Sequence, residues 1–256
     1  MPPDPAHVFL SKLLEHLGGL TEWPQRTHAF AELVTSMTPE DASSLFGLLV
    51  GRAFAFRARR ERVASAAARF AVLRGEWPPE HLSRAREAAV AQGDRLTDTF
   101  LFTEPAPEVD DAQLAIPDYG GGRPLSLGER RALALRPSRR TMELAMRDPH
   151  PLVAVRLLCN PKLTEADVVR TAARRATEPS VLHEIGMNAK WRSRLKVAVA
   201  LVENPHAPAA IALSLLPDLD VQLVHAVADD ARLGDRIRFA ARALLEESVK
   251  IRQPFP

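Results

Sequence analysis

The sequence predicts an all-α protein, an N-terminal helical bundle followed by a run of short stacked helices. Three observations carry this. Apolar residues recur at i, i+3, i+4 and i+7, the spacing that gathers them on one face of a helix. Helix starts are marked by caps and prolines, while strand signals are absent. Alanine and leucine dominate the apolar set and aromatics are only 5% of the 256 residues, a balance typical of helical proteins. That length is a prior for one or two domains and suffices to bury a core without staples.

In the first domain, residues 1–103, four stripes are legible. Leu10, Leu13, Leu14 and Leu17 form one; Phe30, Leu33, Val34 and Met37 a second. Ala42, Leu45, Phe46 and Leu49 follow, then Val63, Ala66, Ala67 and Phe70. Thr38 ahead of Pro39, Glu40 and Asp41 is a cap followed by proline and acids, the signature of a helix start. Gly18, Gly19 and Gly75 fall where helices should stop.

Residues 104–124 then shift in composition, with prolines, acids and three consecutive glycines at 120–122. Proline denies helix and glycine denies rigidity, so a linker or long surface loop is expected. Charge divides here too. The whole chain carries +2, but residues 1–122 hold about −5 and the remainder about +7.

Residues 125–256 are expected to form the second domain and show a weak internal repeat. Prolines recur at 137, 161, 179 and 205, each followed by an apolar helical stretch. Asn160, Asn188 and Asn204 each end an apolar run, and asparagine tolerates the left-handed conformation that terminates helices. Ser126 with Glu129, and Thr164 with Asp167, read as capping boxes. The runs Leu152–Leu158 and Leu195–Val202 suit either buried strands or short helices. Alanine is a poor strand former, so helices are expected, with Val197, Val199 and Leu201 buried.

This punctuation resembles the leucine-rich repeat variant family, close in shape to HEAT-like α-solenoids. The match runs from Pro179, Val181 and Leu182 through Asn188 to Val197, Val199, Asn204 and Pro205. A second match runs from Pro137 through Asp148 and Pro149 to Val155, Leu157, Leu158, Asn160 and Pro161. The resemblance covers residues 135–245 and implies a short α-solenoid of irregular repeats. Some relatives carry an iron–sulfur centre on a cysteine cluster. Cys159 is alone here, so no cofactor is carried over.

Composition excludes several classes. Hydrophobic residues at 46% and charged residues at 26% are ordinary globular values, against wholesale disorder. One cysteine cannot build a disulfide framework or a cysteine-rich metal site. No apolar stretch reaches the roughly 18 residues a membrane span needs, and no signal peptide is seen, so a cytoplasmic location is expected. The eight histidines never fall at the i, i+4 spacing of a helical metal pair. Cys159, in an apolar run, reads as a buried structural cysteine. The glycines at 120–122 lack the ending of a phosphate loop and read as a hinge.

Two basic clusters remain. Arg52, Arg57, Arg59, Arg60 and Arg62 point all around a helix and read as solvated surface. The second cluster yields the candidate binding surface: Arg139, Arg140, Arg174, Arg175, Lys190, Trp191, Arg192, Arg194 and Lys196. Repeated cations can line one groove of a solenoid, and Trp191 among them could stack on a base, although packing between repeats is the better reading. The expected function is a non-enzymatic protein–protein interaction module, an adaptor or scaffold, with an unidentified protein partner and neither cofactor nor metal. The alternative is nucleic-acid binding through the basic face, with a resemblance in shape to HEAT-like DNA glycosylases. Their chemistry needs an acid and aromatics lining a groove, roles that Asp167 and Trp191 would have to fill.

Overall fold

The computed structural model describes residues 5–108, 110, 114–120 and 122–253, the side chains of 5–8 apart, and the described residues are all-α with no strand. In chain order the first six helices are α1 (Pro5–Gly19), α2 (Trp23–Thr35), α3 (Pro39–Phe56), α4 (Arg59–Leu73), α5 (Pro79–Ala91) and α6 (Arg95–Phe100). Eight shorter ones follow: α7 (Leu127–Ala134), α8 (Arg139–Ala145), α9 (Pro151–Leu158), α10 (Glu165–Ala173), α11 (Pro179–Met187), α12 (Ala189–Arg192), α13 (Leu195–Val202) and α14 (Ala209–Leu215). A 3-10 turn at Leu216–Asp218 leads to α15 (Val221–Asp229) and α16 (Asp235–Arg252). The two ambiguous apolar runs are thus helices, α9 and α13.

The chain packs into two compact units. The first takes Met1–Thr103 together with Leu216–Ala231 and Asp235–Pro256; the second takes Glu104–Leu215 and Arg232–Gly234. The expected division kept residues 125–256 together, whereas α15 and α16 lie with the amino-terminal helices.

Side-chain bonds explain that placement. The buried Arg69 pairs with Asp218 at 2.9 Å, and Arg57 donates to the Leu219 carbonyl at 2.7 Å. Arg252 donates twice to the Ala55 carbonyl, at 3.0 and 2.7 Å. Arg52 pairs with the buried Glu61 at 2.7 Å. Members of the first basic cluster therefore act as structural ties rather than as a purely solvated surface. Helix α3 packs against α4, α5 and α16, and Gly51 faces α16 closely. A Cβ there would lie 2.8 Å from the Ile251 Cδ1 atom. At the core Trp77 sits edge-on to Phe30 and tilted to Phe46, with centroids 6.0 and 6.1 Å away. Its indole N–H donates to His81 Nδ1 at 2.8 Å. His81 Nε2 then carries the proton facing the Met37 carbonyl at 3.1 Å.

In the second unit one set of bonds occurs twice. Both expected capping boxes close, Ser126 with Glu129 before α7 and Thr164 with Asp167 before α10. Helix α7 packs on α9 as α10 packs on α13. The buried Asn160 donates to the Ala134 and Arg136 carbonyls at 2.8 and 3.0 Å, and its Oδ1 accepts from Lys162 N–H at 2.9 Å. Forty-four residues later Asn204 donates to the Ala172 and Arg174 carbonyls at 2.6 and 3.3 Å and accepts from His206 N–H at 2.9 Å. Each asparagine satisfies the open carbonyl end of the earlier helix of its pair, α7 or α10, while forming the turn that leaves the later one, α9 or α13.

The asparagines work through their side chains, not through the left-handed backbone expected of them. Among described non-glycine residues only Arg57 has positive φ. Proline after Asn160 and Asn204 explains this, because it pushes the preceding residue towards extended backbone. Val199 is a second departure. It is half-exposed while Val197 and Leu201 are fully buried, since residues two apart cannot share a helix face.

Candidate functional site

In the second unit, side-chain bonds link the two ends of α8 to the two ends of α10. Arg139, opening α8, bonds Asp167 at 2.8 Å and Glu143 at 2.9 Å. Asp167, in the first turn of α10, also accepts from Thr164 and, at 2.7 Å, from Arg170. Its carboxylate is only 2% exposed, and its pKa is held down at about 2, by the Arg139 bond most and by Thr164 next. Such bonds hold the carboxylate in its ionised form and fix its position. The same two partners raise the pKa of Arg139, Asp167 first and Glu143 second.

At the other end of the two helices Arg174 donates to the Met146 carbonyl at 3.0 Å, the last turn of α8. Its pKa is lowered, first by burial and then by the charges of Arg147 and Arg170. Arg147 is exposed and Arg174 half-buried. The sequence reading did not select Arg147 or Arg170, and Arg170 shares the Asp167 carboxylate with Arg139. Arg170 and Arg174 lie one turn apart in a helix whose start was legible, and that spacing was the available signal.

The other candidates divide. Arg140 and Arg175 are exposed on α8 and after α10. Lys190 lies over the Trp191 ring at 4.2 Å. Trp191 itself is 3% exposed, and its indole N–H donates to the Leu158 carbonyl at 3.0 Å. It packs between helices and has no face free for a base, so it leaves the surface set. Arg192, partly buried, donates to Ser214 at 3.3 Å. Arg194 and Lys196 are exposed at the start of α13.

A buried polar cluster went unforeseen. Asp148 accepts from Arg130 at 2.6 and 2.7 Å, from Tyr119 O–H at 2.8 Å and from His150 N–H at 3.0 Å. Burial, then the bond to Asp148, raises the Tyr119 pKa. Tyr119 belongs to the stretch 104–124 expected as a linker. Its described residues form no helix, yet they are tied down within the second unit, also by Glu104 accepting from Ala210 N–H at 2.8 Å. Within the expected glycine hinge Gly120 and Gly122 have positive φ, and Gly121 lies outside the described residues.

Helices α9 and α13 close the two equivalent turns, and both present apolar side chains to solvent: Leu152 and Val155 on α9, Leu195 on α13. The 44-residue offset between Asn160 and Asn204 pairs Val155 with the half-exposed Val199. Cys159, expected to be buried, is an exposed free thiol because it caps α9 instead of continuing its apolar face. Among the described residues no group of three or more His, Cys, Asp or Glu is placed to hold a metal ion, and no helix is long and apolar enough to cross a membrane. Comparison of the chain with protein-family models, curated proteins and solved structures returned no match.

Proposed function

We propose that the chain is a non-enzymatic protein–protein interaction module whose second unit is a short α-solenoid of the leucine-rich-variant or HEAT-like kind. One observation carries this reading. Equivalent helices of the duplicated unit, α9 and α13, expose Leu152, Val155 and Leu195, while Asn160 and Asn204 fix both helices with the same bonds. Exposed apolar residues on helices fixed by buried bonds are what a folded partner can cover at low ordering cost. The partner's surface should be apolar at its centre with acidic groups at its rim, to meet Arg156 and Lys196 beside the exposed row.

The test is site-specific photo-crosslinking in the native host, with the reactive residue placed at 155, at 199 or, as control, at the exposed position 90 of α5. One protein crosslinked from both 155 and 199, and not from 90, supports the proposal. Crosslinks identical at all three positions, or none from 155 and 199, contradict it. Nucleic acid is the second reading, favoured by the exposed cations Arg140, Arg175, Arg194 and Lys196. Its test is the salt slope of oligonucleotide binding, which the loss of each phosphate contact reduces by about one.

A further inference from the structure

We propose that a pocket in the first unit, walled by α1, α2 and α4, binds a small organic dianion through Arg26, Arg59 and Arg60. The pocket measures about 420 Å³, and these three arginines line it together with a single carboxylate, Glu15. Three cations less one acid leave its lining at +2. Arg26 is the fixed member. Its Nε–H donates to the Leu20 carbonyl at 2.8 Å, and its guanidinium lies 5.1 Å from the Trp23 ring centroid. The two terminal nitrogens are left over as a fork already held in place. Arg59 is exposed and has no hydrogen-bond or ion-pair partner among the described residues. Arg60 meets Glu15 at 3.6 Å with both side chains well exposed, a weak pair that a bound dianion can outcompete.

Arg59 and Arg60 also open α4, whose N-cap is Ala58 and supplies no side-chain acceptor. Two adjacent cations thus stand at the positive end of a helix, where an acid is the favoured residue. Glu15 alone does not offset the repulsion among three arginines, and a doubly charged guest does. Charge sets the ionisation of the guest, and space sets its size. The volume falls within the roughly 300–1,000 Å³ of small-molecule sites, far more than an inorganic ion fills. A Cβ on Gly18 or Gly19 would meet nothing within 4 Å, so the α1 wall leaves room for a carbon body, and Val63 offers that body an apolar contact. Phosphate monoesters and dicarboxylates share this chemistry, and guanidinium forks suit both. The pocket belongs to the first unit and the apolar row of α9 and α13 to the second, so either reading can fail without the other.

The experiment titrates the full chain with phenyl phosphate and with succinate, following the Arg26 Nε–H signal by NMR. Saturable binding of at least one is expected, and the tighter of the two identifies the ligand family. The monoanionic methyl ester of whichever dianion binds should bind about tenfold more weakly, the scale of one charge-assisted hydrogen bond. Arg59→Gln should weaken binding by a similar factor, while Arg84→Gln, at an exposed position of α5, should leave it unchanged. Gly18→Leu fills the pocket from a helical position with space around it, so it should abolish binding without lowering the urea midpoint. Failure of both dianions to saturate, equal affinity for the methyl ester, equal effects of the two glutamine variants, or wild-type affinity in Gly18→Leu would each overturn the proposal. So would a diester oligonucleotide that outcompetes both dianions at this site.

Discussion

Replacing Asn204 with alanine tests the duplicated turn where it is most sharply defined. The side chain is 3% exposed and makes three bonds, to the Ala172 carbonyl at 2.6 Å, the Arg174 carbonyl at 3.3 Å and the His206 N–H at 2.9 Å. Alanine leaves the Ala172 carbonyl buried at a helix end without this donor, which costs about 1–3 kcal/mol, and loses a turn bond of about 1 kcal/mol. The expected loss is about 3 kcal/mol. Asn160→Ala should cost the same, since its three bonds are 2.8, 3.0 and 2.9 Å. Asn188 only caps α12 through the Lys190 and Trp191 N–H groups, so Asn188→Ala should cost about 1 kcal/mol, an ordinary cap. Asn204→Asp should be no milder than alanine, because it turns a carboxylate oxygen towards two carbonyls. Urea unfolding by circular dichroism, with hydrogen exchange at α10 and α13 amides, measures all four. Costs for Asn160→Ala and Asn204→Ala no larger than for Asn188→Ala would refute the reasoning.

Val197→Asp should unfold the second unit by burying an unpaired charge, while Val199→Asp, on the half-exposed face, should cost about 1 kcal/mol or less; similar losses of helicity in the two variants would contradict the placement of α13. Gly186→Ala would put a Cβ 2.4 Å from the Ile211 Cγ2 atom, so it should destabilise the α11–α14 contact by about 1–3 kcal/mol, and an unchanged urea midpoint would show that the contact relaxes freely. Acid should also loosen the second unit through Asp167. Its folded pKa of about 2 lies below the ordinary 3.8, so its contribution is complete above pH 5 and fades as pH falls towards 2, reaching a loss of about 1 kcal/mol by pH 3. Urea midpoints at pH 6 and pH 3 should therefore differ more in the wild type than in Asp167→Asn, and equal differences would disprove the linkage.

Much of this architecture was legible in the sequence because it is local. Caps such as Thr38, Ser126 and Thr164 act within three residues, and apolar stripes report helices directly. The rest depends on partners far away in the chain. Nothing near Arg69 announces Asp218, 149 residues on, so the docking of α15 and α16 on the first unit was invisible. Tyr119 in a glycine- and proline-rich stretch gave no sign that Asp148 would hold it. At the candidate site, composition located the cations but could not sort them. Arg139 and Arg170 are both paired with Asp167, Trp191 is consumed in packing, and Arg192 is tied to Ser214, while Arg140, Arg175, Arg194 and Lys196 stay exposed.

The most direct test of the interaction module is the affinity of the protein crosslinked through positions 155 and 199, purified and titrated calorimetrically against the full chain. Leu152 and Leu195 are 44% and 51% exposed, so Leu152→Asp with Leu195→Asp should leave the circular dichroism spectrum and urea midpoint of the chain unchanged. Two desolvated charges at the centre of an interface should weaken binding by about a hundredfold or more. A Kd for the double variant within twofold of the wild type, with the fold intact, would contradict the account.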